Sequence, residues 1–423
     1  MPDRFGYGDK KINLVMFNMS TFFDWDESVY LGRHRFLDRF FDWSGGKVNR
    51  NYHILHGLAK DERIEKIIGV DFLPVGLRKA VGHYVKNILF EAKNVEIVYG
   101  DLTSACYRRS EKIYAYTTVD SLFSFKIVAA ELRRIEKILN LKNIVLWSYN
   151  PMFTEYFGKL NEKLSVFDTV DNWAEHPSYT KLMSRNRLIE NYKIISDKAD
   201  LIFTVSSELK GFYENLDRFR GVHWVPNGVD FAHFNDAKKI SVANELDKLK
   251  RPIIGYLGTI QERIDFDLIK KMALAHPDKT VALCGPVWPS VKKELIKFSN
   301  LKNIVFCGRI HYEDAPSYVN KFDVAIIPHR QDKFTDSMNP MKLYDYLACG
   351  KPVVAMKSAG ADMFKNFIYT ADNSDDFVKL IDQALREDSP EKREARRQEV
   401  KKHSWKKRTE EIAKLMFEKL NND

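Results

Sequence analysis

The chain has 423 residues, too many for one compact hydrophobic core, so two domains are the default expectation and three are possible. Its 44% hydrophobic and 30% charged residues are ordinary for a globular protein, and no apolar run approaches the length of a membrane span. The formal net charge of +9 indicates an anionic partner: nucleic acid, an acidic membrane face or a phosphorylated substrate.

The N-terminus and the cysteines indicate a cytoplasmic protein. The first residues, MPDRFGYGDKKINLVMF, contain neither a long apolar core nor a small-residue cleavage site, so we expect no secretory signal. The four cysteines are scattered without metal-type spacing, at positions 106, 284, 307 and 349. We therefore expect reduced, buried thiols.

Short apolar strands alternate with helical stretches along the whole chain. In the first half, strands are predicted at 12–17, 66–73, 95–100, 143–147, 166–171 and 200–206, with helices between them such as 126–140. The alternation restarts in the second half, with strands at 252–259, 280–285, 303–308, 323–328 and 352–356. This pattern is typical of parallel sheets covered on both faces, so the sequence predicts an α/β protein with two doubly wound, Rossmann-like domains.

The loop signal Pro226-Asn227-Gly228 marks the boundary between the two halves. We predict a first domain at 1–228, a second domain at 229–395 and a C-terminal helix at 396–423 that packs back toward the first domain. The polar segment 236–251 is helical in pattern and leads into the second sheet. Because ligands bind outside the carboxyl ends of parallel strands, we expect the site in the cleft between the domains.

The stretch NPMKLYDYLACGKPVV, residues 339–354, predicts a helix that opens at the carboxyl edge of the second sheet. Asn339 is a good N-cap, Pro340 fits the first helical position, and Gly350 ends the helix. Free backbone N–H groups at Met341 and Lys342, together with the helix dipole, suit a phosphate.

Lys342 and Asp345 lie three residues apart on one side of that helix. The Lys342 ammonium would add charge for the same anion, and the Asp345 carboxylate can accept two hydroxyl hydrogens from one ribose. The alternative is a surface ion pair between these two side chains, which would contribute little to stability.

Glycines at the ends of successive strands of the second half support a diphosphate site. Gly258 falls at the first strand-to-helix turn of the second half, where a side chain would block a diphosphate, and Gly285 falls at the end of the next strand. Arg263 follows in the first of these loops, and Arg309 with Ile310 follows the third strand, where the backbone could contact a base edge.

Two loops of the first half carry candidate acceptor and catalytic groups. The segment FNMSTFFDWDESVYLGRHRF places Trp25 and Asp26 at the cleft mouth, with three basic residues, Arg33, His34 and Arg35, opening a helix. An ordinary loop with a surface charge cluster is the alternative. Asp171, in DTVDNWAEH, either faces the cleft as a catalytic group or caps a helix.

These segments resemble the retaining GT-B glycosyltransferases, in particular glycosyltransferase family 4 and its branch that builds bacterial surface polysaccharides of the teichuronic acid and exopolysaccharide type. The resemblance rests on VPNGVDFAHF between the domains, GYLGTIQERIDFDLI at the phosphate loop and NPMKLYDYLACGKPVV at the acidic signature. It is strong over about residues 200–360 and weaker before, where VFDTVDNW and DWDESVYLGRHRFL are similar to first-domain segments of that branch.

The resemblance implies a role for each matching residue. Asp345 stands where the family has a Glu that holds the ribose, Lys342 and the backbone of Pro340 and Met341 stand beside the diphosphate, and Ile310 stands where the backbone contacts the base. Gly258 stands at the phosphate loop.

This sequence departs from the family at two places. Where the family has a second Glu in contact with the transferred sugar, this chain has Ser337, with Asp336 beside it. The usual basic residue of the phosphate loop is also absent, and Arg263 is the expected substitute.

The implied activity is that of a hexosyltransferase that moves a sugar from a nucleoside-diphosphate sugar, with UDP as first choice, to a glycan or lipid-linked acceptor. Lys342, Arg263 and the helix end would stabilise the leaving diphosphate, and no metal cofactor is expected, although DWD (24–26) and DFD (265–267) match a metal-binding pattern of the other glycosyltransferase fold. In the second of these, Asp265 is expected to start a helix.

Two other functions are open alternatives. A GT-B nucleotide-sugar epimerase would keep the fold but needs acid–base groups that the first half does not show. A basic nucleic-acid-binding protein would concentrate Lys and Arg with aromatics on a recognised module, whereas here the basic residues are spread along the chain, so no nucleic-acid partner is expected.

The segment VGLRKAVGHYVKNILF, residues 75–90, predicts an amphipathic helix. An apolar stripe of Val81, Val85, Ile88 and Leu89 lies opposite basic side chains at Arg78, Lys79, His83 and Lys86. This helix either packs on the first sheet or makes peripheral contact with anionic lipid at the inner face of the membrane.

Overall fold

The computed structural model describes residues 11–18, 48–72, 76–92, 95–240 and 245–422. The first half forms a nine-stranded sheet with the strand order β3-β4-β5-β2-β1-β6-β7-β8-β9. Its strands are β1 (Ile12–Asn18), β2 (Ile64–Asp71), β3 (Ile97–Gly100), β4 (Ser104–Arg108), β5 (Ile113–Thr118), β6 (Ile144–Ser148), β7 (Leu164–Thr169), β8 (Leu201–Thr204) and β9 (Val222–Trp224). Its helices are α1 (Arg50–Leu58), α2 (Leu77–Lys86), α3 (Phe125–Ile138), α4 (Arg185–Lys198) and α5 (Ser207–Glu214).

The second half forms a six-stranded, all-parallel sheet with the order β12-β11-β10-β13-β14-β15. Its strands are β10 (Ile253–Leu257), β11 (Thr280–Cys284), β12 (Ile304–Gly308), β13 (Val324–Ile327), β14 (Val353–Met356) and β15 (Tyr369–Ala371). The helices that follow β9 are α6 (Phe231–Phe234), α7 (Ala237–Ile240), α8 (Phe266–Ala275), α9 (Ala315–Lys321), α10 (Lys333–Asp336), α11 (Met341–Ala348), α12 (Ala359–Asp362), α13 (Ser374–Glu387), α14 (Pro390–Lys401) and α15 (Trp405–Asn422). The predicted pair of Rossmann-like α/β domains is confirmed.

The central strands are apolar at almost every position because helices cover both faces of each sheet. In β1, Leu14 and Met16 pack into one core and Val15 and Phe17 into another, on opposite faces of the sheet. Successive side chains of a strand point to opposite faces, so a continuous apolar run is what a doubly covered strand requires.

Three local predictions were wrong. The sequence indicated only parallel pairing, but β3, β4 and β5 form an antiparallel meander at one edge of the first sheet. The segment 236–251 is not one helix: α7 ends at Ile240, and a separate 3₁₀ turn covers Glu245–Lys248. The strand predicted at 166–171 ends at Thr169, so Asp171 lies in the following loop.

The chain crosses between the domains at two places that lie side by side. Val229, just after the first crossing, receives a backbone hydrogen bond from Trp405 (3.2 Å) and donates one to His403 (3.0 Å). Beyond the second crossing, α15 returns to the first domain, where Ile412 and Met416 are fully buried in the core that also contains Leu14 and Met16.

Helix α2 packs on the first sheet through a polar face. His83 Nε2 lies 3.1 Å from a carboxylate oxygen of Asp71 at the end of β2, and Asn87 donates to the other oxygen at 3.2 Å. Burial alone would raise the pKa of Asp71, but His83, Lys86 and Asn87 together lower it. The prediction that His83 and Lys86 lie on the outer face is therefore wrong, because the buried carboxylate requires partners.

Helix α2 consequently exposes apolar side chains. Leu77 is 62% exposed and Val81 is 40% exposed. Within the described ranges, every helix is too short or too polar to cross a membrane.

Candidate functional site

A cavity of about 740 Å³ opens between the domains at the carboxyl edge of the second sheet. The second domain lines it with residues from the ends of β10, β11 and β12 and from the start of α11, and the first domain contributes residues around the start of α1. Among the lining residues are Asn49, His53, Gly258, Arg263, Gly285, Arg309, Ile310, Tyr312, Met341, Lys342 and Asp345. The cavity therefore collects most of the predicted nucleotide-site residues.

The amino end of α11 carries no side-chain cap. Pro340 occupies the capping position with extended backbone, and among the residues that the structure describes no side chain accepts a hydrogen bond from the first turn. The first N–H groups of a helix have no partner within the helix, so the amides of Met341 and Lys342 and the helix dipole are available to an anion.

Asn339 does not cap this helix, contrary to the sequence prediction. Its side-chain oxygen accepts hydrogen bonds from the backbone N–H of Asn227 and the hydroxyl of Tyr344, both at 2.9 Å. The Asn227 side chain in turn donates to the Asn339 carbonyl at 2.6 Å. Asn339 thus ties the start of α11 to the domain crossover, which leaves the helix end open.

Lys342 and Asp345 both line the cavity, and their side chains do not form a direct ion pair within 4.0 Å. Burial lowers the pKa of Lys342 to about 7, with a further contribution from Arg263, while Asp345 and Asp171 oppose the shift. Burial raises the pKa of Asp345 to about 8, and Lys342 opposes that shift. Two half-buried, unpaired groups at a cavity wall do not fit the surface-pair alternative.

The glycine turns bring the ends of β10 and β11 into close contact. Gly258 donates a hydrogen bond to Cys284 (2.8 Å) and Gly285 donates one to Gly308 (2.6 Å). At φ +147°, a side chain on Gly285 would overlap the carbonyl oxygen of Gly258. A Cβ on Gly258 would lie 3.1 Å from Cε of Lys342, so the space beside the lysine depends on glycine.

Asp171 and Arg263 approach Lys342 from two different loops. Burial raises the pKa of Asp171 to about 6, while the charges of Arg263 and Lys342 oppose the shift. In the described chain Asp171 caps no helix, since the nearest following helical segments begin after Ser178 and Ser184. Asp171 does not line the cavity, but the charges of Arg263 and Lys342 both act on its carboxyl group.

Four predicted residues lie outside the cavity lining: Asp171, Ser337, Asn339 and Pro340. The Ser337 hydroxyl donates to the Phe334 carbonyl at 2.8 Å, and the Ser337 carbonyl accepts from the Ser206 hydroxyl at 2.7 Å. Ser337 thus links its own loop to the first domain, and the neighbouring Asp336 is exposed.

Another group of predicted residues lies outside the described residues, namely Trp25, Asp26, Arg33, His34 and Arg35. The DWD segment, 24–26, is therefore not described either.

The DFD segment has a structural role. Asp265 caps α8, accepting from the Leu268 N–H at 2.9 Å, as the sequence predicted, and Asp267 pairs with Lys297 at 2.9 Å. Among the residues that the structure describes, no group of three His, Cys, Asp or Glu side chains is placed to hold a metal ion.

Sequence reasoning missed the contributions of α1 and of Tyr346. Asn49 caps α1, accepting from the Tyr52 N–H at 3.2 Å, and His53 follows one turn later. Tyr346 receives a hydrogen bond from the Leu257 N–H at 2.7 Å and so fixes the end of β10. Asn49 before an apolar stretch was a usable N-cap signal, but nothing in the sequence connects Tyr346 with Leu257.

Two Rossmann-like domains, with an uncapped helix end in the cleft between them, define the GT-B class of glycosyltransferases. Solved structures support this fold at low sequence identity: a sucrose-phosphate synthase from Thermosynechococcus elongatus (TM-score 0.68, 13% identity, 96% of this chain and 98% of that chain) and Anabaena Alr3699/HepE in complex with UDP and glucose (TM-score 0.65, 13% identity, 96% and 99%).

Sequence comparison identifies the second domain. Residues 251–387 match the model of the family described as Glycosyl transferases group 1. TuaH of Bacillus subtilis strain 168, provisionally assigned as a teichuronic acid biosynthesis glycosyltransferase, is 28% identical over 277 residues, which cover 63% of this chain and 70% of TuaH. The chain is a glycosyltransferase.

Proposed function

We propose that this enzyme is a retaining glycosyltransferase that moves a sugar from a UDP-sugar to a glycan or lipid-linked acceptor in cell-surface polysaccharide assembly. The observation that carries the proposal is the cavity in which the uncapped end of α11, Lys342 and Asp345 converge. Two similar proteins support it, since the Anabaena HepE structure contains UDP and glucose and TuaH is assigned to teichuronic acid biosynthesis.

In this mechanism the amides of Met341 and Lys342 and the Lys342 ammonium hold the diphosphate, and Asp345 accepts hydrogen bonds from the ribose hydroxyls. As the bond between the sugar and the diphosphate breaks, negative charge grows on the leaving oxygen, where Lys342 and Arg263 stabilise it. The acceptor hydroxyl attacks from the same face, and its proton passes to a diphosphate oxygen. Asp171, on whose carboxyl group the charges of both cations act, orients the reacting groups.

Asp345→Ala should weaken UDP-sugar binding by about 2–4 kcal/mol, because one or two hydrogen bonds to a carboxylate are lost. A calorimetric titration after a thermal-shift panel of nucleotide sugars would measure this. Glu313→Ala, at the same cavity but on an exposed turn, is the matched control. Unchanged affinity in a folded Asp345→Ala protein would refute the ribose assignment, and a wild type that turns over none of the nucleotide sugars would refute the proposed function.

Lys342 should take up a proton when UDP binds. With a pKa of about 7 in the free protein, it is largely neutral at pH 8, and the diphosphate charge raises its pKa in the complex. When UDP binds at pH 8, wild-type protein should therefore take up as much as about one more proton than Lys342→Met does. The affinity of the wild-type protein for UDP should fall as the pH rises above 7. Calorimetry in buffers of different ionisation enthalpy measures the difference. Equal proton uptake by both proteins would show that the lysine does not meet the diphosphate.

We propose that turnover requires no metal, since the helix end, Lys342 and Arg263 supply positive charge at the diphosphate and Asp265 is committed to capping α8. Activity should persist in excess EDTA. Complete loss of activity that Mn²⁺ or Mg²⁺ restores would overturn this part of the proposal.

We also propose peripheral contact with an anionic membrane through α2. The exposed side chains of Leu77, Arg78 and Val81, together with the net charge of +9, support it. The protein should sediment with anionic vesicles at low salt and be released at about 0.5 M NaCl, because salt screens the attraction. Leu77→Asp with Val81→Asp should abolish sedimentation without changing UDP affinity. Equal binding to neutral and anionic vesicles would contradict the proposal.

A further inference from the structure

The loop between β7 and α4 reaches from the first domain to the second. The Ser178 hydroxyl donates a hydrogen bond to Oε1 of Glu262 at 3.0 Å. Two residues earlier, the His176 ring meets the Phe334 ring edge to face, with centroids 4.4 Å apart. Both contacts join the domains away from the crossovers at Val229 and Trp405, and they arise in the loop that carries Asp171.

This loop is held together as one unit. Tyr179 stacks on both Trp173 and His176, with ring centroids 3.9 Å and 4.0 Å apart, and the Ser178 N–H donates to His176 Nδ1 at 3.0 Å. At the other end of the loop, the Tyr192 hydroxyl on α4 donates to the Asp171 carbonyl at 3.2 Å. A displacement of Ser178 is therefore transmitted to Asp171.

The partner loop after β10 is held equally firmly. Arg330 donates to the Arg263 carbonyl at 2.8 Å, and Trp288 donates to the Ile260 carbonyl at 2.9 Å. Glu262 lies between these anchors and immediately precedes Arg263. Burial alone would raise the pKa of Glu262, but hydrogen bonds, including the one from Ser178, and the nearby His176 together outweigh burial and lower it, so Glu262 is an ionised acceptor.

We propose that Glu262 and Ser178 form a latch that holds the loop carrying Asp171 against the loop carrying Arg263 when the domains are closed. Neither latch residue lines the nucleotide cavity, so the latch acts on the geometry of the reacting groups and not on nucleotide affinity. Glu262 is thus a positioning residue for the proposed transfer reaction, and its role rests on that proposed function.

The test compares Glu262→Ala, Glu262→Gln, Ser178→Ala and the double variant Ser178→Ala/Glu262→Ala. Each alanine variant should lower kcat about tenfold or more and leave the Kd for UDP within about twofold, because only the closed, reacting arrangement is lost. The double variant should be no worse than either single variant, because both remove the same hydrogen bond. Glu262→Gln should retain most of kcat, since its amide oxygen still accepts from Ser178.

The matched control is Glu175→Ala. Glu175 lies in the same loop but pairs with Arg185 of the first domain at 2.6 Å, so its loss should leave kcat unchanged. Additive losses in the double variant, a Glu262→Gln variant as impaired as Glu262→Ala, or a parallel loss of UDP affinity would each overturn the latch.

Hydrogen exchange gives a readout that does not depend on turnover. In UDP-saturated protein, the amides of residues 171–184 should exchange faster in Glu262→Ala and Ser178→Ala than in wild type or Glu175→Ala. Unchanged exchange there would overturn the latch even if kcat fell. If wild type turns over no nucleotide sugar, the proposed function fails, and hydrogen exchange still decides whether the latch exists.

Discussion

An uncapped helix end placed in a cleft is the constraint on which the rest of this site depends. The described residues supply no side-chain partner for the amides at the start of α11: Pro340 cannot cap, and Asn339 is committed to Asn227 and Tyr344. A helix end of this kind is suited to an anion. The same hydrogen bonds fix the helix start to the crossover, so the ligand meets a position already set by both domains.

The charged side chains around this helix end have shifted pKa values, because they are partly removed from water without being paired to each other. The charge of Arg263 lowers the pKa of both Lys342 and Asp171, whose charges also act on each other, and Asp345 lies one turn further along the helix. Such an arrangement is unfavourable in the free protein. The burial of the apolar strands in the two sheets offsets this unfavourable free energy, and the strands hold these loops in place.

Local patterns in the sequence predicted the parts that depend on neighbouring residues. The apolar strands, the α11 segment and the Asp265 cap were all readable, because their structure follows from residues a few positions apart. The parts that failed depend on partners far along the chain. Asn339 was predicted to be an N-cap, but its side-chain oxygen accepts a hydrogen bond from Asn227, 112 residues away. His83 was predicted to lie away from the packed face of its helix, but its ring contacts the buried Asp71. Tyr346 and Leu257, 89 residues apart, gave no signal at all.

Helix α15 returns to the first domain, so the first domain is built from two segments that are far apart in the chain. The first sheet is complete at Trp224, yet one of its faces is covered by Ile412 and Met416, which are synthesised only after the whole second domain. A nascent chain therefore exposes an unfinished apolar surface throughout synthesis of the second half. For the same reason, a fragment that ends at the first crossing between the domains lacks part of its own core. The two halves follow each other in the chain, but the first half needs the C-terminal helix of the chain to complete its fold.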